Sequence, residues 1–261
     1  MVLAVEDLTL EFEGLRALSD VSFGVEAGAL AALVGPNGAG KTSLLNCVSS
    51  FYPPTHGRVT FEGARLSGQP PHRVAAHGVA RVFQFVELFR HLTVLDNILL
   101  GRHRHMRAGV LAGSIFWGRA RREETRERRR AEEVMEFLEL ERYRKEPIGN
   151  LPFGVQKLVG VGRALAMEPK LLLLDEPSTG MNREEKENLA RFLLRIKHEL
   201  GTTMLWIEHD MELVADLAEQ VVVLDFGQKI AEGHPESVLR DPRVAEAYLG
   251  RGYDARKGSG R

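Results

Sequence analysis

From residue 3 to residue 25 apolar and polar positions alternate, with Gly14 and Gly28 as punctuation, and this period of two predicts short strands. Arg58-Val59-Thr60-Phe61 followed by Glu62-Gly63 predicts another strand and a turn. Further strands are expected over residues 79–83, 171–174, 203–207 and 221–224. The last three are nearly continuous apolar runs separated by helix-like segments. A strand with no polar side is buried on both faces, so the pattern predicts a parallel sheet covered by helices. Between Leu92 and Glu146 the chain changes to helical spacing and high charge. Residues 119–141 are dense in Arg and Glu, with Glu124→Arg128 and Arg128→Glu132 four apart, and the interleaved glutamates favour a solvated helix face over a nucleic-acid surface. Residues 110–117 form an apolar patch of no clear period, either a buried loop or a docking surface. The tail from residue 250 onward is rich in Gly, Arg and Lys and is expected to fray. There is no evident repeat or long linker. One domain is therefore expected over residues 1–250, with a helical portion inserted at about 88–168 and a flexible tail at 251–261.

Composition changes this picture little. The 261 residues are 44% hydrophobic and 27% charged, as in an ordinary globular protein with a substantial core. A formal net charge of −1 gives no general reason to expect nucleic acid or an anionic membrane as partner. Cys47 is the one cysteine, which excludes an intrachain disulfide and suits a reducing compartment; its place after a glycine-rich loop predicts a buried small hydrophobe. No apolar run approaches the roughly eighteen residues of a membrane span. The first residues lack a basic region followed by an apolar core, so the expectation is a cytosolic polypeptide able to dock on something membrane-embedded.

Candidate chemistry begins with Gly35-Pro36-Asn37-Gly38-Ala39-Gly40-Lys41-Thr42, between the apolar run 30–34 and an apparent helix from Ser43 onward. This is a G-x-x-x-x-G-K-[ST] phosphate-binding loop in its strand–loop–helix context. Glycines let the backbone curl so that successive N–H groups face phosphate oxygens, and the following helix adds its positive end. Lys41 can reach the β- and γ-phosphates, and the Thr42 hydroxyl can ligate Mg²⁺.

Four further segments narrow the class. Residues 171–176 read Leu-Leu-Leu-Leu-Asp-Glu, a buried strand ending in two carboxylates: Asp175 suits a water-mediated Mg²⁺ contact, and Glu176 is placed to polarise an attacking water. Upstream lies Leu151-Pro152-Phe153-Gly154-Val155-Gln156 before a helical stretch. Gln84 and His209 each follow a predicted strand. Singly, the last three are as consistent with ordinary capping or strand-end residues as with function.

In this order the segments resemble the ATP-binding-cassette ATPases along nearly the whole chain. The resemblance implies an α/β phosphate-loop nucleoside-triphosphatase fold: a mainly parallel core sheet, an N-terminal antiparallel β-subdomain and an inserted helical subdomain. It implies ATP and Mg²⁺ as ligands. Residues 35–42 and Ser43 would be the Walker A loop, residues 171–176 the Walker B strand, and residues 151–156 the signature motif with Gly154 on the nucleotide. Gln84 would be the Q-loop glutamine, reaching the metal with Thr42 and Asp175, and His209 the switch histidine. Phe12 would stack on adenine, and residues 178–182 would be the D-loop. Glu176, His209, Gln84 and Lys41 would carry catalysis.

Several phrases are similar to one branch, the ATPases of branched-chain amino-acid importers: Arg81-Val82-Phe83-Gln84 with Leu88-Phe89, Thr93-Val94-Leu95-Asp96-Asn97, Ile207-Glu208-His209-Asp210-Met211 and Glu246-Ala247-Tyr248-Leu249-Gly250. On that resemblance the partners are a second cassette in a head-to-tail dimer, membrane permeases and, indirectly, a solute-binding protein, at the inner face of the membrane. No nucleic acid is expected. The alternatives are a cassette of a lipid, polysaccharide or urea system, or a soluble cassette ATPase clamping nucleic acid, although the insertion of some fifty residues is short for the latter. The chain departs from the usual signature Leu-Ser-Gly-Gly-Gln at Pro152, Phe153 and Val155, and has Asn182 where the D-loop commonly has Asp. Proline offers a γ-phosphate neither a hydroxyl nor an N–H. A signature contact would then come from backbone near Gly154 or from the helix behind it.

Overall fold

The computed structural model describes residues 1–84, 88–105 and 119–249. The 110–117 patch, residues 85–87 and the tail from residue 250 lie outside the described residues.

The alternating N-terminal segment forms two long strands, β1 (Leu3–Phe12) and β2 (Leu15–Val25), paired antiparallel with Phe12 opposite Leu15. Glu13 and Gly14 both adopt positive φ (45° and 88°), the two-residue turn whose twist matches that of its strands. β4 (His56–Phe61) pairs with β1 and β5 (Ala64–Arg65) with β4, closing a four-stranded antiparallel sheet in the order β2-β1-β4-β5.

The second sheet has six strands. β3 (Leu30–Val34), β6 (Val79–Val82), β7 (Leu171–Asp175), β8 (Thr203–Ile207) and β9 (Gln220–Asp225) are parallel, and β10 (Gln228–Gly233) runs antiparallel at one edge. The order is β10-β9-β3-β8-β7-β6. The apolar runs are buried on both sides because successive side chains enter two different cores. Leu30, Ala32, Val34, Leu172, Leu174, Met204, Trp206, Val221 and Val223 pack against helices. Ala31, Leu33, Leu171, Leu173, Leu205, Ile207, Val222 and Leu224 pack under the antiparallel sheet and the helix Lys41–Val48. Cys47 lies wholly inside the second core, and burial pushes its thiol up to about 12, so it is an inert packing residue.

The charged run is a helix, Arg119–Phe137, beside the helices Val94–Gly101 and Phe153–Leu165. Its solvated side carries pairs such as Arg128–Glu132 at 3.9 Å. The opposite side of the same helix is buried, through Ala131, Met135 and Glu127. Glu127 bonds Arg102 (2.8 Å), which also donates to the Ala166 carbonyl (2.7 Å) and lies 2.9 Å from Glu168. A carboxylate can stay ionised there because a guanidinium with matching donors is buried beside it. Gly162 lets the signature-bearing helix close on its neighbours: a Cβ there would stand 3.1 Å from Leu138 and 3.2 Å from Ile98.

Candidate nucleotide site

All the sequence-derived candidates except Phe12 and Gly154 come from loops leaving the carboxyl ends of the parallel strands, or from the helix that follows β3. This is the edge where open α/β sheets bind ligands. After β3 the chain turns through residues 35–40 into the helix Lys41–Val48. Two positions demand glycine. A Cβ on Gly35 (φ 147°) would lie 2.1 Å from the Leu224 carbonyl oxygen, and one on Gly40 (φ 98°) 2.8 Å from that of Ala17. Pro36, Asn37, Gly38, Ala39, Thr42 and Ser43 complete the loop and the first helical turn. The cavity here is about 510 Å³ and is lined by Asn37, Gly38, Ala39, Gly40, Lys41, Thr42 and Ser43 with Leu15, Arg16, Ala17, Glu176, Phe226 and Gly227. Lys41 Nζ donates to the Gly35 and Pro36 carbonyls (2.7 and 2.9 Å). Burial lowers its pKa, against the opposing pull of Glu176 and Asp175.

Glu176 is the meeting point. It follows β7 with φ 47°, a left-handed conformation unusual for a non-glycine residue. Its Oε1 is 2.6 Å from His209 Nε2, and its Oε2 accepts from Gln84 Nε2 (2.7 Å) and Thr179 Oγ1 (3.3 Å). Three loops, after β6, β7 and β8, thus converge on one carboxylate. The His209 loop is pinned by Glu208, whose buried carboxylate accepts from Ser178 Oγ (2.6 Å) and from the N–H groups of His209 (2.8 Å) and Asp210 (3.2 Å).

Asp175, at the end of β7, is buried and pairs through Oδ2 with Arg81 Nη2 at 2.8 Å. Its Oδ1 is buried without a hydrogen-bond partner. An orphaned carboxylate oxygen is a costly arrangement and a natural acceptor for a metal-bound water. With the exposed Thr42 hydroxyl and the Gln84 amide, the donor set is all oxygen, as Mg²⁺ requires, so these residues fit that ion.

Two candidates stand apart. Phe12 packs edge-on against Tyr52, centroids 5.2 Å apart, and is not among the residues lining the cavity, where Leu15 and the exposed Phe226 stand instead. Gly154 lies in the first turn of the helix Phe153–Leu165, after the N-cap Pro152, and a Cβ there would sit 2.3 Å from Glu185 Oε1. It faces this chain's own next helix (Arg183–Leu200), not its own phosphate loop. That helix starts at Asn182, whose side chain accepts from Glu185 N while Glu185 bonds back, so Asn serves as the cap.

Sequence reasoning missed three residues. Arg81, read only as part of a phrase, fastens Asp175 and also bonds Asn46 (2.6 Å) on the phosphate-loop helix and its C-cap Ser49 (3.0 Å). A cation in an otherwise apolar strand was the available signal. Lys157 is buried and donates to the Gln84 carbonyl at 2.7 Å; its signal was a lysine in phase with the apolar stripe of its helix. Tyr248 stands beside the Gly35 backbone, and although the residue is 39% exposed, desolvation of its phenol pushes it up to about 12.

Comparison with known proteins agrees with this geometry. The ABC transporter family matches over residues 18–179, and the branched-chain amino acid ATP-binding cassette transporter family over residues 228–254. The chain is 37% identical over 249 residues to the high-affinity branched-chain amino acid transport ATP-binding protein BraF of Pseudomonas aeruginosa, spanning 95% of this chain and 98% of that one. It is 35% identical to LivG of Escherichia coli K12 over the same shares. Among solved structures, the ADP conformation of MJ1267, an ATP-binding cassette of an ABC transporter, superposes with a TM-score of 0.84 at 32% identity, covering 96% of this chain and 99% of that one. The dimeric bacterial cassette MJ0796 gives 0.75 at 25% identity, covering 89% and 98%. Motif, sheet order and the carboxylate shared by three loops therefore agree with kinship at more than a third identity: the chain belongs to the ATP-binding-cassette transporter family, whose members carry an ATPase fold.

Proposed function

We propose that this protein is the ATP-hydrolysing subunit that energises a membrane importer of branched-chain amino acids, working as one of two cassettes at the inner membrane face. The observation that carries the reading is the grip of Gln84 and His209 on the two oxygens of Glu176, beside the cavity formed by the phosphate loop. The matches to BraF and to the C-terminal family of residues 228–254 support the substrate class.

In this reading the loop amides and the helix end at Lys41 hold the α- and β-phosphates, and Lys41 leaves its carbonyl partners for the terminal phosphates. Asp175 and Thr42 would hold Mg²⁺, whose chemistry there would be to neutralise charge on the terminal phosphates. Gln84 and His209 turn from Glu176 to the γ-phosphate. Glu176 is then free to orient and deprotonate water, a role worth about 10²–10⁴-fold in rate. Phe12 and Tyr52 offer an aromatic edge to the adenine. The backbone around Gly154 serves the nucleotide of the opposing cassette, consistent with its abutting Glu185 and with its absence from the lining of the chain's own cavity. Hydrolysis removes the group that both cassettes share, and the pair opens.

Coupling to permeases is assigned to the surface at Phe89. The residue is 59% exposed, on a main chain held by the fully buried Asn97, which accepts from Phe89 N (2.9 Å) and donates to Phe89 O (3.1 Å). A rigid, exposed aromatic beside the Gln84 loop suits a short helix from a membrane subunit.

The test is Glu176→Gln. It should bind ATP with unchanged affinity, accumulate as a closed dimer in sizing experiments, and lose at least about 10²-fold in turnover. Turnover at the wild-type rate would move the catalytic role elsewhere.

A further inference from the structure

The buried Lys157 lies outside the chemistry just described, yet it contacts the parts that perform it. Its side chain leaves the helix Phe153–Leu165 on the buried face, and the residue is 4% exposed. Nζ donates to the Gln84 carbonyl at 2.7 Å and makes a longer contact of 3.5 Å to the Glu176 carbonyl. It also stands 5.5 Å from the ring centre of Phe153, the first residue of the helix and part of the signature segment. Both oxygen partners are main-chain atoms. The backbones of Gln84 and Glu176, whose side chains bond each other at 2.7 Å, are therefore fastened from behind by a third group that occupies neither side chain.

A buried ammonium is costly, and desolvation lowers the pKa of Lys157, while the carboxylates of Glu176, Glu208 and Asp175 offset that effect. A methionine or leucine would fill the same space at less cost. What an apolar side chain cannot do is hold two carbonyls at one point. Glu176 needs such a hold, because its left-handed backbone (φ 47°) persists only where the surroundings over-determine it.

We propose that Lys157 is a positioning residue that ties the Gln84 and Glu176 backbones of one nucleotide site to the signature helix serving the other. The inference rests on the head-to-tail arrangement proposed above. When the partner's nucleotide draws in the Gly154 end of the helix, Lys157, three residues farther along it, carries that displacement to Gln84 and Glu176. The two sites of a dimer are then coupled through a single cation in each chain.

The experiment uses the full chain with ATP and Mg²⁺, comparing wild type with Lys157→Met and Lys157→Arg. ATP affinity, kcat and KM are measured together with hydrogen–deuterium exchange of peptides spanning Gln84 and Glu176. Lys157→Met should keep ATP affinity within about twofold, lower kcat about 10- to 100-fold and raise exchange in both peptides. Lys157→Arg, which keeps charge and donors, should recover most of kcat. A kcat within twofold of wild type in Lys157→Met, or unchanged exchange at both peptides, overturns the proposal. Should Lys157→Met fail to fold, Lys157→Gln, neutral but still a donor, replaces it, and loss of fold in both makes Lys157 merely structural and overturns the positioning role. If wild type itself binds ATP without hydrolysing it, the proposed function fails, while the exchange measurements still report on the tie.

Discussion

Asp175 commits one carboxylate oxygen to Arg81 and leaves the other buried without a partner, a division that only a second ligand makes economical. Arg81 sets the direction of that free oxygen. Its guanidinium also lies 4.8 Å from the ring centre of Phe83 and bonds Asn46, so strand, phosphate-loop helix and the approach to Gln84 share one cation. Asp175→Asn keeps an acceptor for Arg81 and removes the charge proposed to attract Mg²⁺. Titration calorimetry should find Mg²⁺-free ATP binding near wild type, and a Mg²⁺ requirement raised about 10- to 100-fold. An unchanged requirement would remove Asp175 from the metal site.

At the scale of elements, the Arg119–Phe137 helix derives its stability from its buried stripe, since exposed pairs such as Arg130–Glu133 contribute little. The Arg102–Glu127 pair is different, with side chains 5% and 2% exposed. Burial raises the Glu127 pKa, but hydrogen bonds and charge from Arg126 and Arg102 outweigh it, and the carboxyl is held below its ordinary value. A depressed carboxyl stabilises the fold above its ordinary titration range, and the contribution is lost as pH falls through the lower folded value. Urea midpoints should therefore decline as pH is taken below about 4.3. Glu127→Gln should cost about 3 kcal/mol at neutral pH and flatten that decline, because it leaves Arg102 undercompensated at every pH. An equally steep decline in the variant would assign the acid sensitivity to other carboxyls.

At the scale of the whole molecule, alternate residues of the parallel strands feed two cores, so the sheet cannot shift without disturbing both. The loops at its carboxyl edge therefore leave from a rigid frame. Phe89→Asp places a charge on the proposed permease surface without touching the phosphate loop. Transport in reconstituted vesicles should fall to background while ATP affinity in the isolated chain stays within about twofold. Continued transport would place the socket elsewhere.

Strand runs, the phosphate loop, the paired carboxylates of residues 175–176 and the polar residues after β6 and β8 could all be read along the chain. Each depends on local chemistry: the period of side-chain burial, the glycine needed at Gly35 and Gly40, and a carboxylate where an apolar run stops. β10 and the short C-terminal helices were not foreseen, because their apolar positions are few and acquire meaning only against β9 and the core. Glu127, Arg81, Lys157 and Tyr248 were opaque for a related reason. A charge or phenol in sequence looks solvent-bound until its partner is known, and these partners lie 25, 94, 73 and 213 residues away. Which chemistry the protein carries was thus determined by the sequence itself. Which polar groups are buried, and what they fasten to one another, was decided only by the tertiary structure, because desolvation and pairing are properties of surroundings that distant segments supply.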